Sequence, residues 1–423
     1  MPDLDYSYEI TIAQNATSDP AATSVTNQWQ RQLPGNTDWE NIYAGNEATY
    51  KVARADRSAK IRLQQDLDGS KVYSNELKVT DDEFVDQIDA FGQWDIAADA
   101  FQFKGAVLAP NGKLYAIPYC YDQVIEIDPD NSSSRLFGEK FTRDRNKWGG
   151  GVLANDGLIY AVPSTASTVL VIDPVNETVT QFGDLGSGGT KWLEGVLAPN
   201  GKIIGVPYLA GEVLEIDPVN RTTSTFGTAP SKGYLGMVLA PNGKIYGVPY
   251  SAQTVLEIDP VSRTTSTFGS VVSGNYKWTG GAIAPDGKIY CVPSNGSNIL
   301  VIDPVNRTTS NFGSFIGDSK WMGAVLAPNG KIYGIPFKSS KVLEIDPVTR
   351  KTRTFGNINK PGWGGGSVAF NGKIYAVPYG SANVLELDLG LPQATGPDGS
   401  KGWAISGLPG NTLDPLSPYY NKF

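Results

Sequence analysis

Histidine does not occur anywhere in the 423 residues. Its absence excludes a Ser-His-Asp or Cys-His nucleophile, a histidine general base and a His-ligated zinc or iron centre, which removes most familiar enzymatic chemistries. Cysteine is nearly absent too. Cys120 and Cys291 fall in different copies of an internal repeat, four copies apart; a bridge would have to cross the molecule, so two buried free thiols are expected, in a protein assembled in a reducing cytosol. No long apolar run occurs, and none stands behind the N-terminal MPDLDYSYE, so neither a membrane span nor an export signal is expected. Basic clusters are also missing. With a formal charge of −8, the chain lacks the massed Lys and Arg that phosphate backbones demand, and nucleic acid is not an expected partner. Carboxylates are dispersed: Asp144, Asp184 and Asp318 lie in separate loops, without the dense oxygen pattern calcium needs, so no metal and no cofactor are expected.

What the chain has in abundance is itself. The segment GAVLAPNGKIYGIPFKSSKVLEIDPVTRKTRTFG, from Gly323 to Gly356, has six further near-copies, marked by Asp128, Asp173, Asp217, Asp259, Asp303 and a degenerate Asp388 around the reference Asp346. The markers are 42 to 45 residues apart, the period of a propeller blade. Within each copy four short runs of apolar and β-branched residues alternate with turn signals. Ala-Pro-Asn-Gly presets one tight turn. Asp-Pro-Val-Asn-Arg makes another, its Asp accepting from its own following backbone. Asn131, Asn176, Asn220 and Asn306 begin N-x-S/T sequons, but all sit in this same turn and read as turn chemistry. Each copy is thus a four-stranded meander, strands a to d, with two apolar faces that only stacking against neighbours can bury. The expected fold is all-β, with residues 81–390 forming a seven-bladed β-propeller.

Closure of that ring is legible. Copies one to six end in a d strand such as residues 222–227, whereas copy seven stops at Glu386-Leu387-Asp388-Leu389-Gly390. The missing strand stands before copy one, where residues 86–92 read DQIDAFG and carry the same terminal Phe-Gly. This N-terminal strand is expected to complete the last blade and leave no open sheet edge.

Residues 1–80 lack the repeat and alternate as strands around Trp29, Trp39, Tyr50 and the run Lys60-Ile61-Arg62-Leu63. A buried Trp on a central strand and a second sheet make a compact sandwich. The order of these motifs resembles the cysteine-free immunoglobulin-like domains of bacterial surface proteins and bacteriophage virion proteins. The last segment, residues 391–423, is rich in Pro and Gly without periodicity and reads as an extended arm ending in Tyr419-Tyr420-Asn421-Lys422-Phe423. Docking of that aromatic end on a neighbouring subunit, as in a homo-oligomer, and a frayed terminus are both open.

The copies differ mainly in their b–c and d–a connections, which share one end of the meander. There the b–c loops carry Tyr119, Tyr208, Tyr250 and Tyr379, and strand a begins with Trp148, Trp192, Tyr234, Trp278, Trp321 and Trp363, usually after Lys. Two roles are open for the Trp series: packing between blades, or stacking platforms for sugar rings with the loop tyrosines as hydrogen-bonding partners. The Gly runs at residues 149–151 and 364–366 read as close packing at the axis.

Through Ala-Pro-Asn-Gly-Lys-Ile-Tyr and Val-Leu-Glu-Ile-Asp-Pro, the repeats resemble the seven-bladed propellers that include NHL-type proteins and streptogramin lyases. That resemblance implies fold. Lyases of the group rely on histidine and a divalent metal, and this chain offers no residue onto which that role could be carried. The expectation is a non-enzymatic structural protein of a tailed-bacteriophage virion, a head decoration, tail or fibre component assembled in the host cytoplasm, with other virion proteins and a host-surface saccharide as partners. A secreted bacterial or algal adhesin and a carboxylate-based propeller hydrolase or lyase are the alternatives. The hydrolase would need paired Asp/Glu on the inner strands, where the consensus Gly-Ala-Val-Leu-Ala-Pro offers none.

Overall fold

A computed structural model describes residues 8–11, 25–32, 37–42, 49–52, 60–73, 77–78, 87–92, 101–229, 233–391, 403–404, 412–414 and 416–417. The chain divides into two compact units, Met1–Gln87 with Leu389–Pro392, and Ile88–Asp388 with Gln393–Phe423. Among the described residues every regular element is a strand, and no helix is long and apolar enough to cross a membrane.

In the first unit, Val25–Gln32 pairs along its whole length with Lys60–Leu67, flanked by Glu40–Ile42 and Ser70–Tyr73, and Leu77–Lys78 also pairs Lys60–Leu67. Alternation puts Trp29, Ile61 and Leu63 on one face, and all three are buried. On the other face the Gln30 amide donates to Asn41 Oδ1 at 2.9 Å and Gln64 Oε1 at 3.2 Å, while Arg62 donates to Gln30 Oε1 at 2.9 Å. The Arg62 guanidinium lies between the rings of Trp39 and Tyr73, 4.0 and 4.2 Å from their centroids. Tyr8–Thr11 and Thr49–Val52 form a separate antiparallel pair. The expected extended arm falls largely outside the described residues; within it Trp403–Ala404 pairs Thr412–Leu413, and the aromatic end from Tyr419 is not described.

Among the described residues of the second unit are seven four-stranded antiparallel sheets, a multi-blade β-propeller. Inner strands pack on inner strands in sequence, and Phe103–Leu108 of the first sheet packs on both Trp148–Leu153 and Trp363–Val368, closing the ring. Strands a, b and c are buried along most of their length, and the d strands alternate exposed and half-buried. The seventh sheet takes its d strand from Gln87–Phe91, beside Val384–Asp388. Phe91 meets Tyr375 edge-on with centroids 6.2 Å apart, repeating the b–d pairs Tyr246–Phe268 at 6.0 Å and Tyr333–Phe355 at 6.2 Å. The expected closing strand is therefore in place.

A buried tyrosine on strand b organises the turn end of six of the seven sheets, the third having Ile204 there, and in the five sheets described next the phenol is matched to a single carboxylate. Tyr115, Tyr246 and Tyr333 donate to Glu126, Glu257 and Glu344 of strand c at 3.1, 3.2 and 3.0 Å, and receive the amide of Asn111, Asn242 or Asn329 from the a–b turn. In the second and fifth sheets strand c has Val171 or Val301 instead, and the turn has Asp156 or Asp286, to which Tyr160 and Tyr290 donate at 2.7 and 2.9 Å. A second carboxylate would crowd like charges around one phenol, so acid in the turn and acid on the strand substitute for each other. The lysine after the turn completes the cluster, as in Lys331 Nζ to Glu344 Oε1 at 3.0 Å. Burial pushes the Glu126, Glu257 and Glu344 carboxyls up, but their Arg and Lys partners outweigh it and hold all three below the ordinary range.

Neighbouring sheets are tied at this end by the same side chains. Tyr375 and Asn371 of the seventh sheet both donate at 3.2 Å to the Pro129 carbonyl of the first, the seam of the ring. In the c–d turns the Asp accepts as expected: Asp173 Oδ1 takes the Val175 and Asn176 amides at 2.9 Å, and Oδ2 takes the Asn176 side chain at 2.8 Å. The sequon asparagines are thus engaged in turn geometry.

Candidate functional site at the axial face

The opposite end gathers the b–c loops around the axis. A single carbonyl aims each loop: Tyr119, Cys120 and Tyr121 donate their amides to Gln102 O at 3.0 to 3.1 Å, and Tyr379, Gly380 and Ser381 donate theirs to Gly362 O at 2.6 to 3.0 Å. The residue after the strand-b Pro then turns inward. Tyr119, Tyr208, Tyr250, Phe337 and Tyr379 come together with Cys120 over Leu193, Leu235 and Met322, which occupy the second position of inner strands. Ring centroids are 6.1 Å apart for Tyr119 and Tyr379, 5.5 Å for Phe337 and Tyr379, and 6.1 Å for Tyr208 and Tyr250. The four tyrosines singled out in the sequence are thus one cluster. Burial, with smaller contributions from neighbouring phenols and the Cys120 thiol, pushes their hydroxyls up, so they remain protonated at neutral pH.

For the Trp series, burial favours packing, the first of the two roles left open. Trp148, Trp192, Tyr234, Trp278, Trp321 and Trp363 are all no more than 5% exposed, so none presents a ring face for stacking. Each indole N–H is spent internally. Trp148, Trp278 and Trp363 donate at 2.7 Å to the carbonyls of Thr168, Asn298 and Asn383, and Trp192 and Trp321 at 2.8 Å to Glu212 and Lys341. The acceptor is twenty positions on in every case, which pins strand a to the residue preceding strand c. A ring that fills the space between sheets and satisfies an orphan carbonyl is a core residue. Sequence could not separate the two roles, because both require an aromatic at a fixed repeat position.

The lysines before these aromatics are core residues too. Lys277 donates to the carbonyls of Ala252 and Gly274 at 2.9 Å, and Lys320 to Ser294, Gly296 and Gly317 at 2.6, 3.0 and 2.5 Å. Burial lowers Lys147 and Lys277 to about 8. Each ammonium fastens its own d–a loop to the preceding sheet's b–c loop.

Two buried charged residues that the repeat consensus concealed, Lys104 and Glu194, meet near Tyr119 of the aromatic cluster. The third position of strand a is glycine in six sheets: Gly105, Gly150, Gly236, Gly280, Gly323 and Gly365. At several of these a Cβ would strike the next inner strand; one on Gly236 would lie 2.6 Å from Gly280 Cα, and one on Gly323 2.8 Å from Gly365 Cα. The third sheet has Glu194 there, and the first sheet has Lys104 at the second position. The Lys104 and Glu194 side chains are 7% and 8% exposed and meet with Nζ 3.9 Å from Oε1. The Tyr119 ring centroid is 5.8 Å from Lys104 Nζ. Burial pulls Lys104 down to about 8, with Glu194 acting in the opposite direction. The sequence signal was present as a break in the glycine column.

Two exposed aromatics complete the rim. Phe101 and Tyr276 each precede strand a by two residues, in the first and fifth sheets, and are 43% and 48% exposed. Phe101 stacks on Tyr379 at 4.3 Å and an interplanar angle of 11°, and Tyr276 lies 5.0 Å from Tyr250. Among the described residues no group of three or more Cys, Asp or Glu side chains is placed to hold a metal ion.

No protein-family profile matches the chain, and no curated protein matches it. Solved structures do. A streptogramin B lyase superimposes with a TM-score of 0.60 at 10% identity, covering 72% of this chain and 97% of that one. A catalytically inactive histidine-to-alanine variant of virginiamycin B lyase from Staphylococcus aureus, solved with quinupristin, gives 0.61 at 12% identity, covering 71% and 99%. An extracellular domain from B. thetaiotaomicron gives 0.56 at 13%, covering 85% of this chain and 50% of that one. At these identities the likeness is one of fold, and it supports the propeller.

Proposed function

We propose that this chain is a non-enzymatic structural and binding protein of a bacteriophage virion, a head decoration, tail or fibre component. In this reading residues 81–390 are a seven-bladed propeller that presents its axial aromatic face to a partner, and residues 1–80 are an immunoglobulin-like assembly module. The observation that carries it is the division within the repeats. One end keeps the same tyrosine–carboxylate solution in nearly every sheet, while the other varies its loops around a cluster of tyrosines at the axis. Invariant turns maintain a ring; variable aromatic loops suit recognition.

The lyase neighbours provide a useful contrast. One of them is described as inactive once a histidine is replaced, and this chain has no histidine at all. A carboxylate-pair hydrolase fares no better, because Glu194 is coupled to a lysine at the axis rather than to a second acid. The test is to purify intact particles and label them with an antibody to the propeller for electron microscopy. Stoichiometric recovery at a repeating position on the particle is expected, and absence from purified particles would sink the proposal.

A further inference from the structure

We propose that the Lys104–Glu194 pair and the rim aromatics Phe101 and Tyr276 form a binding site for a neutral saccharide. This deepens, and rests on, the reading of the axial face as a recognition surface.

The contrast with the other buried lysines is the first argument. Lys147, Lys191, Lys277 and Lys320 each donate to one or more backbone carbonyls. Lys104 is as deeply buried, yet among the described residues its nearest charged partner is Glu194, at 3.9 Å beyond hydrogen-bond length. The geometry of that pair is the second. A hydroxyl oxygen about 2.8 Å from each atom closes the triangle, accepting from the ammonium and donating to the carboxylate. A sugar hydroxyl offers both functions. The pair carries no net charge, so a carboxylate-bearing ligand would be repelled by Glu194 and an amine by Lys104. The Tyr119 ring lies 5.8 Å from the Lys104 ammonium, and at the rim Phe101 and Tyr276, 43% and 48% exposed, offer the ring stacking that pyranosides take. The tryptophans, first candidates for this role, are replaced by residues two positions earlier.

The probe is an array of neutral, amino, sialylated and sulfated oligosaccharides, with calorimetric titration of the best neutral glycan. Retention of neutral glycans is expected, weakened about tenfold or more in Lys104→Met, as befits loss of a charge-assisted hydrogen bond. Phe101→Ala and Tyr276→Ala change exposed side chains, so the fold is preserved, and each is expected to weaken binding as well. Glu194→Gln leaves a net positive floor and is expected to shift preference towards sialylated glycans. Retention of no glycan, retention only of acidic or amino glycans by the unaltered protein, or neutral binding indifferent to these substitutions would overturn the inference. If particles contain the protein but no glycan is retained, this inference fails and the virion reading stands. If neutral glycan is bound but the protein is absent from particles, the saccharide site stands and the virion reading fails.

Discussion

At the turn end of the propeller, six of the seven sheets reuse a buried strand-b tyrosine, the third having Ile204 instead, and at the loop end the sheets diverge. Tyr246 there has Glu257, Asn242 and Lys244 around it, and Tyr333 has Glu344, Asn329 and Lys331 in the same geometry. Opposite them, the positions after the strand-b Pro hold Tyr119, Ser164, Tyr208, Tyr250, Ser294, Phe337 and Tyr379. One end has to interlock with its neighbours, since Tyr375 and Asn371 reach Pro129 across the seam, and any change must be matched next door. The other end faces the axis, where side chains meet across the ring and each can vary alone. Repetition marks mutual constraint, and departures from it mark sites free to take on recognition.

This comparison can be broken in several places. Deleting residues 87–92 removes the d strand of the seventh sheet and leaves Val384–Asp388 as an open edge. Loss of the cooperative thermal transition or aggregation is expected, and an unchanged melting curve would remove the closing role. Trp278→Ala empties a site that is 1% exposed and orphans the Asn298 carbonyl. A loss of about 3–5 kcal/mol by denaturant titration is expected, without direct contact with any ligand. The exchange of acids gives a double-mutant cycle. Asp286→Asn and Val301→Glu should each destabilise alone, whereas together they recreate the arrangement at Tyr246, with a coupling of about 0.5–3 kcal/mol. Additive effects would show that Tyr290 does not need one carboxylate.

The two ends also respond oppositely to pH. Glu126, Glu257 and Glu344 are held low in the folded state, so their stabilisation is fully present above the ordinary glutamate range and is lost progressively as pH falls below that range through the lowered folded-state values. Lys147 and Lys277 are lowered to about 8, so the folded protein releases protons before the unfolded chain does. Stability is therefore expected to rise from about pH 8 towards 10, by up to about 1.4 kcal/mol per pH unit for each lysine. Lys277→Met should reduce that slope; an unaltered slope in urea titrations would show that the ammonium is not desolvated. The smallest effect is expected at Val348, 87% exposed in a c–d turn, where Val348→Ser should change stability by less than about 0.5 kcal/mol.

Much of this was legible in advance. The period of the Asp-Pro marker and the truncated seventh copy identified the sheets and their closing strand, because a missing d strand leaves a ladder that something must complete. The tyrosines at the axis were legible as variable-loop residues. The tryptophans were not, since an aromatic at a fixed repeat position has the same sequence signature whether its face is covered or bare. Lys104 and Glu194 escaped notice because each looks like scatter around a glycine-rich consensus within its own copy. They stand in the first and third sheets, and only closure of the ring brings them within 3.9 Å.

The sequence by itself thus determined the strands, the turns and the closure of the ring, all of which depend on local hydrogen bonding and a repeated apolar pattern. Tertiary structure alone decided which aromatics are covered and which charges meet. Those outcomes depend on distances between inner strands of different sheets, and no spacing along the chain encodes them.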